Sequence, residues 1–368
     1  MNEDKSTRYH RLRRRADLLG TAVAGVVLLT LILGGGGLFL REKAAAVSSF
    51  LPGGLDDAMT VVVLSLALWL LLQAVELPFA FYQGHLLEHH YGLSTQSTSH
   101  WLADHGKGVV LGSALAVAGA SIVFAAMRRW PDQWWWVSAA VFAAGTVVMV
   151  RLAPIVLLPM FYKFKPLERP ALVARLLTLA EKARTDVVGV FEWVLSGHTR
   201  KANAALAGMG QTRRILLSDT LLADYSDDEI EVVLAHELAH HVHRDLWRGI
   251  AVQTVLLLGG FFVADLVLRR VANGAGFRGL SDPAALPVLM LPFVNAMSRA
   301  QERAADRYAL TTTRNVDAFV TAMKRLSQQN LAEEYPSAIV RWLFYSHPPI
   351  RERIDAARAF AREGSHAA

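Results

Sequence analysis

Six stretches of this chain are apolar over close to the ~20 residues that cross a bilayer, and nothing else constrains the fold as strongly. They run Leu18–Leu40, Ala58–Tyr82, Val109–Met127, Trp134–Pro159, Ile250–Leu268 and Ala284–Met297. In hydrocarbon every backbone N–H and C=O needs an internal partner, so such stretches predict helices. The composition agrees, with 53% of the 368 residues hydrophobic and only 19% charged. Arg151 and Pro154 interrupt the fourth stretch, which is expected to end early or to line a cavity, because a charge facing lipid is costly. The sixth is short and holds Pro287 and Pro292.

Flanking charge sets the expected topology. Lys5, Arg8, Arg11, Arg13, Arg14 and Arg15 precede the first stretch, which places the N-terminus in the cytoplasm. Alternation then puts Gln83–Lys107, Lys163–Asp245 and the tail after Met297 on the same side. Arg269, Arg270 and Arg278 fall in an outside loop, against the rule. The first apolar stretch is too long for the h-region of a cleaved signal peptide. Much of the net charge of +6 lies at the N-terminus, where orientation accounts for it without nucleic acid. The chain has no Cys, so any metal must be held by His and carboxylates.

Between the fourth and fifth stretches stands His236-Glu237-Leu238-Ala239-His240, an HExxH pattern. Ser226 and Glu229 form a capping box ahead of it, and no Gly or Pro follows until Gly249, so a helix is expected. His236 and His240 then share a face and can hold one Zn²⁺. Glu237 can reach a water at that ion and take its proton. A third ligand is needed. His241 points about 100° away from His240 and does not extend the pattern. Glu302 is the better candidate, with Asp306 on the same helix face to accept the free N–H of a ligating His. Taken alone, that segment reads as a solvated charged helix, its carboxylates paired with Arg299 and Arg303.

Several separate segments together resemble one family, the zinc-dependent CaaX prenyl endopeptidases, over roughly Val75 to Arg358. They are Glu76-Leu77-Pro78-Phe79, the run Glu88 to Ser97, Ala153-Pro154-Ile155, Phe161 to Leu167, Lys201-Ala202-Asn203-Ala204, Ile215 to Leu222, the zinc helix, the Glu302/Asp306 helix, and Tyr345 to Ile354 with its His-Pro-Pro core. The resemblance implies that His236, His240 and Glu302 ligate one Zn²⁺ per chain and that Glu237 is the base. It implies that Asn203 with Ala204 fixes the substrate backbone. It also implies that His347 and Arg353 line the site near the scissile carbonyl, where an oxyanion needs donors. On their own residues, Asn203 reads equally as a loop Asn, His347 as a turn residue and Arg353 as a helix-face salt-bridge partner.

The expected fold is an all-α membrane protein of six or seven spans with a gluzincin-like α+β zinc protease domain carrying a small sheet. The expected parts are a four-span membrane domain over 1–164, a cytosolic protease domain over 165–249, two further spans over 250–297, and a helical segment over 298–368 that completes the site. The family usually has one more N-terminal span than this reading finds. Arg213–Ser218 reads as a short strand whose edge could accept an extended peptide. The expected substrate is a peptide or protein cut near its C-terminus, lipidated or membrane-associated, with membrane lipids as the other partner. The Ala- and Arg-rich composition fits a bacterial inner membrane. An HtpX-like quality-control protease is the alternative within the chemistry. A transporter with a vestigial site is the alternative outside it, disfavoured by the intact motif. His85, His89, His90, His100 and His105 cluster, but their irregular spacing argues against a second metal site.

Overall fold

Residues 4–50, 56–272, 286–333 and 335–366 are described here from a computed structural model. They form two units, one of residues 9–142 and one of the described residues outside that range. The first unit is helical: α1 (Lys5–Leu33), α2 (Gly36–Ser48), α3 (Asp56–Phe81), α4 (Glu88–His90), α5 (Thr98–Arg129) and the start of α6 (Trp134–Leu152). The first apolar stretch is not one straight span. It breaks at Gly34 and Gly35, where φ of Gly35 is +74°, and the two helices meet at 74°. A residue with no Cβ takes that left-handed conformation at little cost.

A second departure concerns residues 83–107, expected as a loop. Helix α3 continues through a π turn (Tyr82–Leu87) into α4, and α5 begins at Thr98, capped by the Ser97 hydroxyl. Polar residues at the end of α3 stay helical because they have partners. The Tyr9 hydroxyl donates to the Glu88 carboxylate, and Arg13 lies 3.7 Å from it. The histidines there pack as aromatic groups: His85 stacks on Phe81, and His105 on Trp101. Helices α3 and α5 approach closely at Gly112, where a Cβ would meet the Trp69 ring at 2.5 Å.

The second unit carries the end of α6, a π turn (Ala153–Leu157), α7 (Leu158–Phe161), β1 (Lys163–Pro166), α8 (Pro170–Lys182), β2 (Val190–Val194), β3 (Ala204–Ala207), β4 (Arg214–Ser218), α9 (Asp219–Asp224), α10 (Asp227–Val242), α11 (Asp245–Ala272), α12 (Leu286–Thr313), α13 (Val316–Gln329), α14 (Ala338–Phe344) and α15 (Ile350–His366). The sheet runs β1-β2-β4-β3, with β2 and β4 parallel and both outer strands antiparallel. The strand expected as a docking edge, β4, is therefore interior. Ile215 and Leu217 are fully buried, which an apolar run paired on both sides requires. The edge beside it is β3.

Four helices among the described residues are long and apolar enough to cross a membrane, with the α1–α2 pair as a further bent span. The expected sixth stretch begins outside the described residues, and α12 carries its remainder onward to Thr313.

Helix α10 is the centre of the unit. Ile230, Leu234, Ala235, Leu238 and Ala239 are fully buried, so it is enclosed on most sides. Its capping box forms as expected: Ser226 N–H donates to Glu229 Oε2 at 2.8 Å, and Glu229 N–H to Ser226 Oγ at 3.3 Å. It ends at Val242. Arg244 has φ +57°, and α11 starts at Asp245. Ser226→Ala is expected to lower stability by about 1 kcal/mol, the usual worth of such a cap, read as a lower unfolding temperature in detergent.

Candidate metal centre

Helix α10 supplies His236 and His240, one turn apart on one face. Helix α12 packs along α10 and brings Glu302 opposite them. His236 Nε2 lies 3.3 Å from Glu302 Oε2, and His240 Nε2 lies 3.5 Å from Glu302 Oε1. One donor atom from each residue falls within 4.8 Å of the other two, the only such group of three among the described residues. Ligands 2.0–2.1 Å from a tetrahedral ion stand about 3.3–3.4 Å apart, so the spacing fits.

The donor chemistry fits as well. His236 Nδ1 lies 3.0 Å from Asp306 Oδ1, and His240 Nδ1 lies 3.0 Å from Asp245 Oδ2. A carboxylate only accepts, so each ring carries its proton on Nδ1 and turns the Nε2 lone pair toward Glu302. Glu302 Oε2 is buried and makes no hydrogen bond despite its nearness to His236. Lone pairs facing one another at this distance repel unless a positive charge sits among them. Burial alone would lower the His236 pKa, but Asp306 and Glu302 outweigh it and push it up to about 9. The geometry that attracts a proton there attracts a metal ion equally.

The expected residues are placed unevenly. Glu237 lines a cavity of 1690 Å³ beside His240, and burial raises its pKa while the two histidines oppose the rise. Arg151 and Pro154 line the same cavity, as the broken fourth stretch implied. Asp306 stands behind His236. Arg353 stands behind Asp306, donating to it from Nε at 2.8 Å and from Nη2 at 2.5 Å. Burial works against the Asp306 carboxylate, but His236 and Arg353 hold its pKa below the usual range. Arg353 is itself buried, with two nitrogens committed to Asp306, so it braces the His236 side of the site. His347 Nε2 is 3.3 Å from Glu302 Oε1 on an open side, with 62% of its side chain exposed. Its loop is tied to α12, where Arg299 donates to the Tyr345 carbonyl at 2.6 Å. Asn203 and Ala204 sit at the start of β3. Asn203 is exposed, and the cavity wall begins further on, at Leu206.

Asp245 was not anticipated. In a continuous helix a residue five places after His240 lies about 140° round the axis. The left-handed turn at Arg244 brings it back. The signal in the sequence is an acidic residue soon after HExxH, uninterpretable without knowing that the helix breaks.

Comparison with known proteins covers nearly the whole chain. Residues 166–361 match peptidase family M48, and residues 2–163 match the family described as CAAX prenyl protease N-terminal, five membrane helices. That description exceeds by one the four N-terminal spans read from the sequence. The chain is 30% identical over 288 residues to the uncharacterized metalloprotease YhfN of Bacillus subtilis, covering 74% of this chain and 68% of that protein. It is 29% identical over 306 residues to a CAAX prenyl protease 1 homolog of Arabidopsis thaliana, covering 77% and 70%. The fold is similar to that of Saccharomyces mikatae Ste24p, with TM-score 0.80 over 96% of this chain and 87% of the other, at 22% identity.

Removing the carboxylates behind the histidines tests the site. Asp245→Asn is expected to weaken metal affinity about 10–100-fold, as such supporting partners usually do, measured by chelator competition. Wild-type affinity in that variant would show that Asp245 does not orient His240.

Proposed function

This chain belongs to peptidase family M48 and is a membrane metalloprotease of the CAAX prenyl protease type; from that premise we propose that its ion is zinc, that Glu237 is its base, and that it cuts peptide bonds near the C-termini of lipidated or membrane-associated chains. The carrying observation is the His236/His240/Glu302 group, with Glu237 facing the adjoining cavity. Two imidazoles and a carboxylate are the donor set of a catalytic zinc with an open position. Bound there, one zinc ion per chain would lower the pKa of a water and polarise the scissile carbonyl.

The chain's own residues supply the rest. Glu237 takes a proton from the attacking water as its oxygen bonds to the carbonyl carbon. The proton then passes to the leaving nitrogen as the C–N bond breaks, giving an acid and an amine. The raised pKa of Glu237 suits a group that must accept a proton and return it. His347, on the open side of Glu302, is placed to donate to the carbonyl oxygen as it gains charge. Asp306 and Arg353 act through His236 by fixing its tautomer and ring. An extended substrate would pair with the outer edge of β3, with Asn203 and Ala204 at its start.

Apolar wall residues such as Val147, Val150 and Leu158 suit a lipid chain attached to the peptide. The match over residues 2–163 favours this reading over an HtpX-like quality-control role. We place the protein in a bacterial inner membrane with its N-terminus and site in the cytoplasm, on the basic residues before α1. On this reading the chain divides into four working parts, with bounds at residues 164, 249 and 297.

Glu237→Gln is expected to bind metal like wild type while cleaving a prenylated C-terminal peptide about 10²–10⁴-fold more slowly. Undiminished cleavage would remove Glu237 from the mechanism. A wild-type rate equal on prenylated and unprenylated peptides would remove the lipid from the substrate.

A further inference from the structure

Where α14 meets α12, the chain presents a basic surface that no step of peptide hydrolysis uses. The sequence of α12 carries no charge from Leu286 to Ser298; Arg299 and Arg303 then follow. Helix α14 is fastened at that change. Asn295 donates to the Leu343 carbonyl at 2.7 Å, and Arg299 to the carbonyls of Arg341 at 3.1 Å and Tyr345 at 2.6 Å. Helix α14 therefore lies level with the point where α12 turns from apolar to charged.

Arg299, Arg303 and Arg341 line a depression of 490 Å³ there, and Glu352 is the one carboxylate on its wall. Glu352 lies 3.5 Å from Arg303 and 3.6 Å from Arg341, so its single charge is shared between them. Three cations against one anion leave an excess of two positive charges among the described residues of the wall. Burial, and then the neighbouring Arg341 and Arg303, hold the Arg299 pKa below its ordinary value against the pull of Glu352. Ile339 and Trp342, adjacent on one face of α14, line the same depression and are 71% and 53% exposed. Large apolar side chains left open beside a cationic patch are the pattern of a helix in the headgroup layer of a membrane. Tryptophan is enriched at that level, where its ring meets the acyl boundary.

We propose that this surface seats the headgroup of an anionic membrane phospholipid, with Ile339 and Trp342 in the acyl boundary and Arg303 and Arg341 on the phosphate. Such binding requires the sixth apolar stretch to lie in the bilayer and is independent of the peptidase reading. The depth agrees. At 1.5 Å per residue, Arg299 and Arg303 stand about 3 and 9 Å along the axis beyond Met297, the last residue of that stretch. The headgroup layer on each side of the hydrocarbon is about 5–8 Å thick, so both arginines begin in it or within a side chain's reach of it. A guanidinium fork matches phosphate oxygens in two parallel hydrogen bonds. The 490 Å³ lies within the ~300–1,000 Å³ of ordinary small-ligand sites, which suits a glycerophosphate group. Because α14 is already tied to α12, no segment has to be ordered when the lipid arrives.

The chain has no Cys, so a nitroxide on Ile339→Cys reports the depth of this face alone, in the full-length protein reconstituted in nanodiscs. In phosphatidylglycerol, dissolved oxygen is expected to reach the label in preference to a water-soluble nickel chelate, the mark of immersion. In phosphatidylcholine that preference is expected to weaken. Adding Arg303→Gln and Arg341→Gln is expected to abolish the difference between the two lipids. Both arginine side chains are about half exposed, so the changes leave the packing intact, and the unfolding temperature read on the same samples checks this. Equal access of the nickel chelate in both lipids would overturn the proposal, as would a lipid difference that survives the arginine changes. Shielding produced in phosphatidylcholine by inorganic phosphate would assign the arginines to a soluble anion and overturn it. So would shielding that grows with protein concentration in detergent alone, because a second copy of the chain would then cover the face. Peptide cleavage is not read, so failure of the peptidase reading leaves the outcome untouched.

Discussion

The structure of the peptidase half depends on the contact between α10 and α12. Ionisable groups meet there within an otherwise apolar contact: His236 and His240 from one helix, Glu302 and Asp306 from the other. Burying ionisable groups costs several kcal/mol each unless they are paired and their remaining lone pairs are satisfied. Asp306 is satisfied, because it accepts from both His236 and Arg353. Glu302 is not, because one of its oxygens is buried without a hydrogen bond. The cluster is thus complete on the side away from the cavity and unfinished on the side that faces the metal position. That asymmetry separates a binding site from a structural ion network.

The surroundings hold this unfinished group in place. Helix α10 is packed by apolar side chains along most of its length, so it cannot rotate to relieve the repulsion between Glu302 and the imidazole lone pairs. Arg353 arrives on α15, more than a hundred residues after His236, and fixes Asp306 through two hydrogen bonds. His347 reaches Glu302 only because α12 also holds the carbonyls of Leu343 and Tyr345 through Asn295 and Arg299. The last segment of the chain is therefore part of the centre. Each donor is oriented by a group from a different element, which confers the precision that a tetrahedral ion demands.

Much of this centre was legible in the sequence, and the reason is locality. HExxH, its capping box and the Glu302/Asp306 pair all depend on helical spacing, which one segment states by itself. The order of motifs along the chain supplied the rest through family resemblance. What stayed hidden depended on backbone breaks or on pairing partners. Arg244 carries no glycine signal, so the left-handed turn there and the role of Asp245 could not be read. β4 has the apolar pattern of a strand, but nothing in it says that β2 and β3 flank it, and the open edge was assigned to the wrong strand. The glycines at 34–37 were visible, yet hydropathy runs across them unchanged and conceals the bend. The polar run from Gln83 reads as a loop until the Glu88 partners are known.

The break at Arg244 ties the centre to the membrane. Asp245 holds His240 and is also the first residue of α11, an apolar helix long enough to span a bilayer. Within a single residue the chain passes from orienting a metal ligand to entering the membrane. Helix α12 does the same in reverse, running unbroken from the sixth apolar stretch to Glu302 and Asp306. Asp245 thus couples the orientation of His240 to the first turn of a helix apolar enough to span a bilayer.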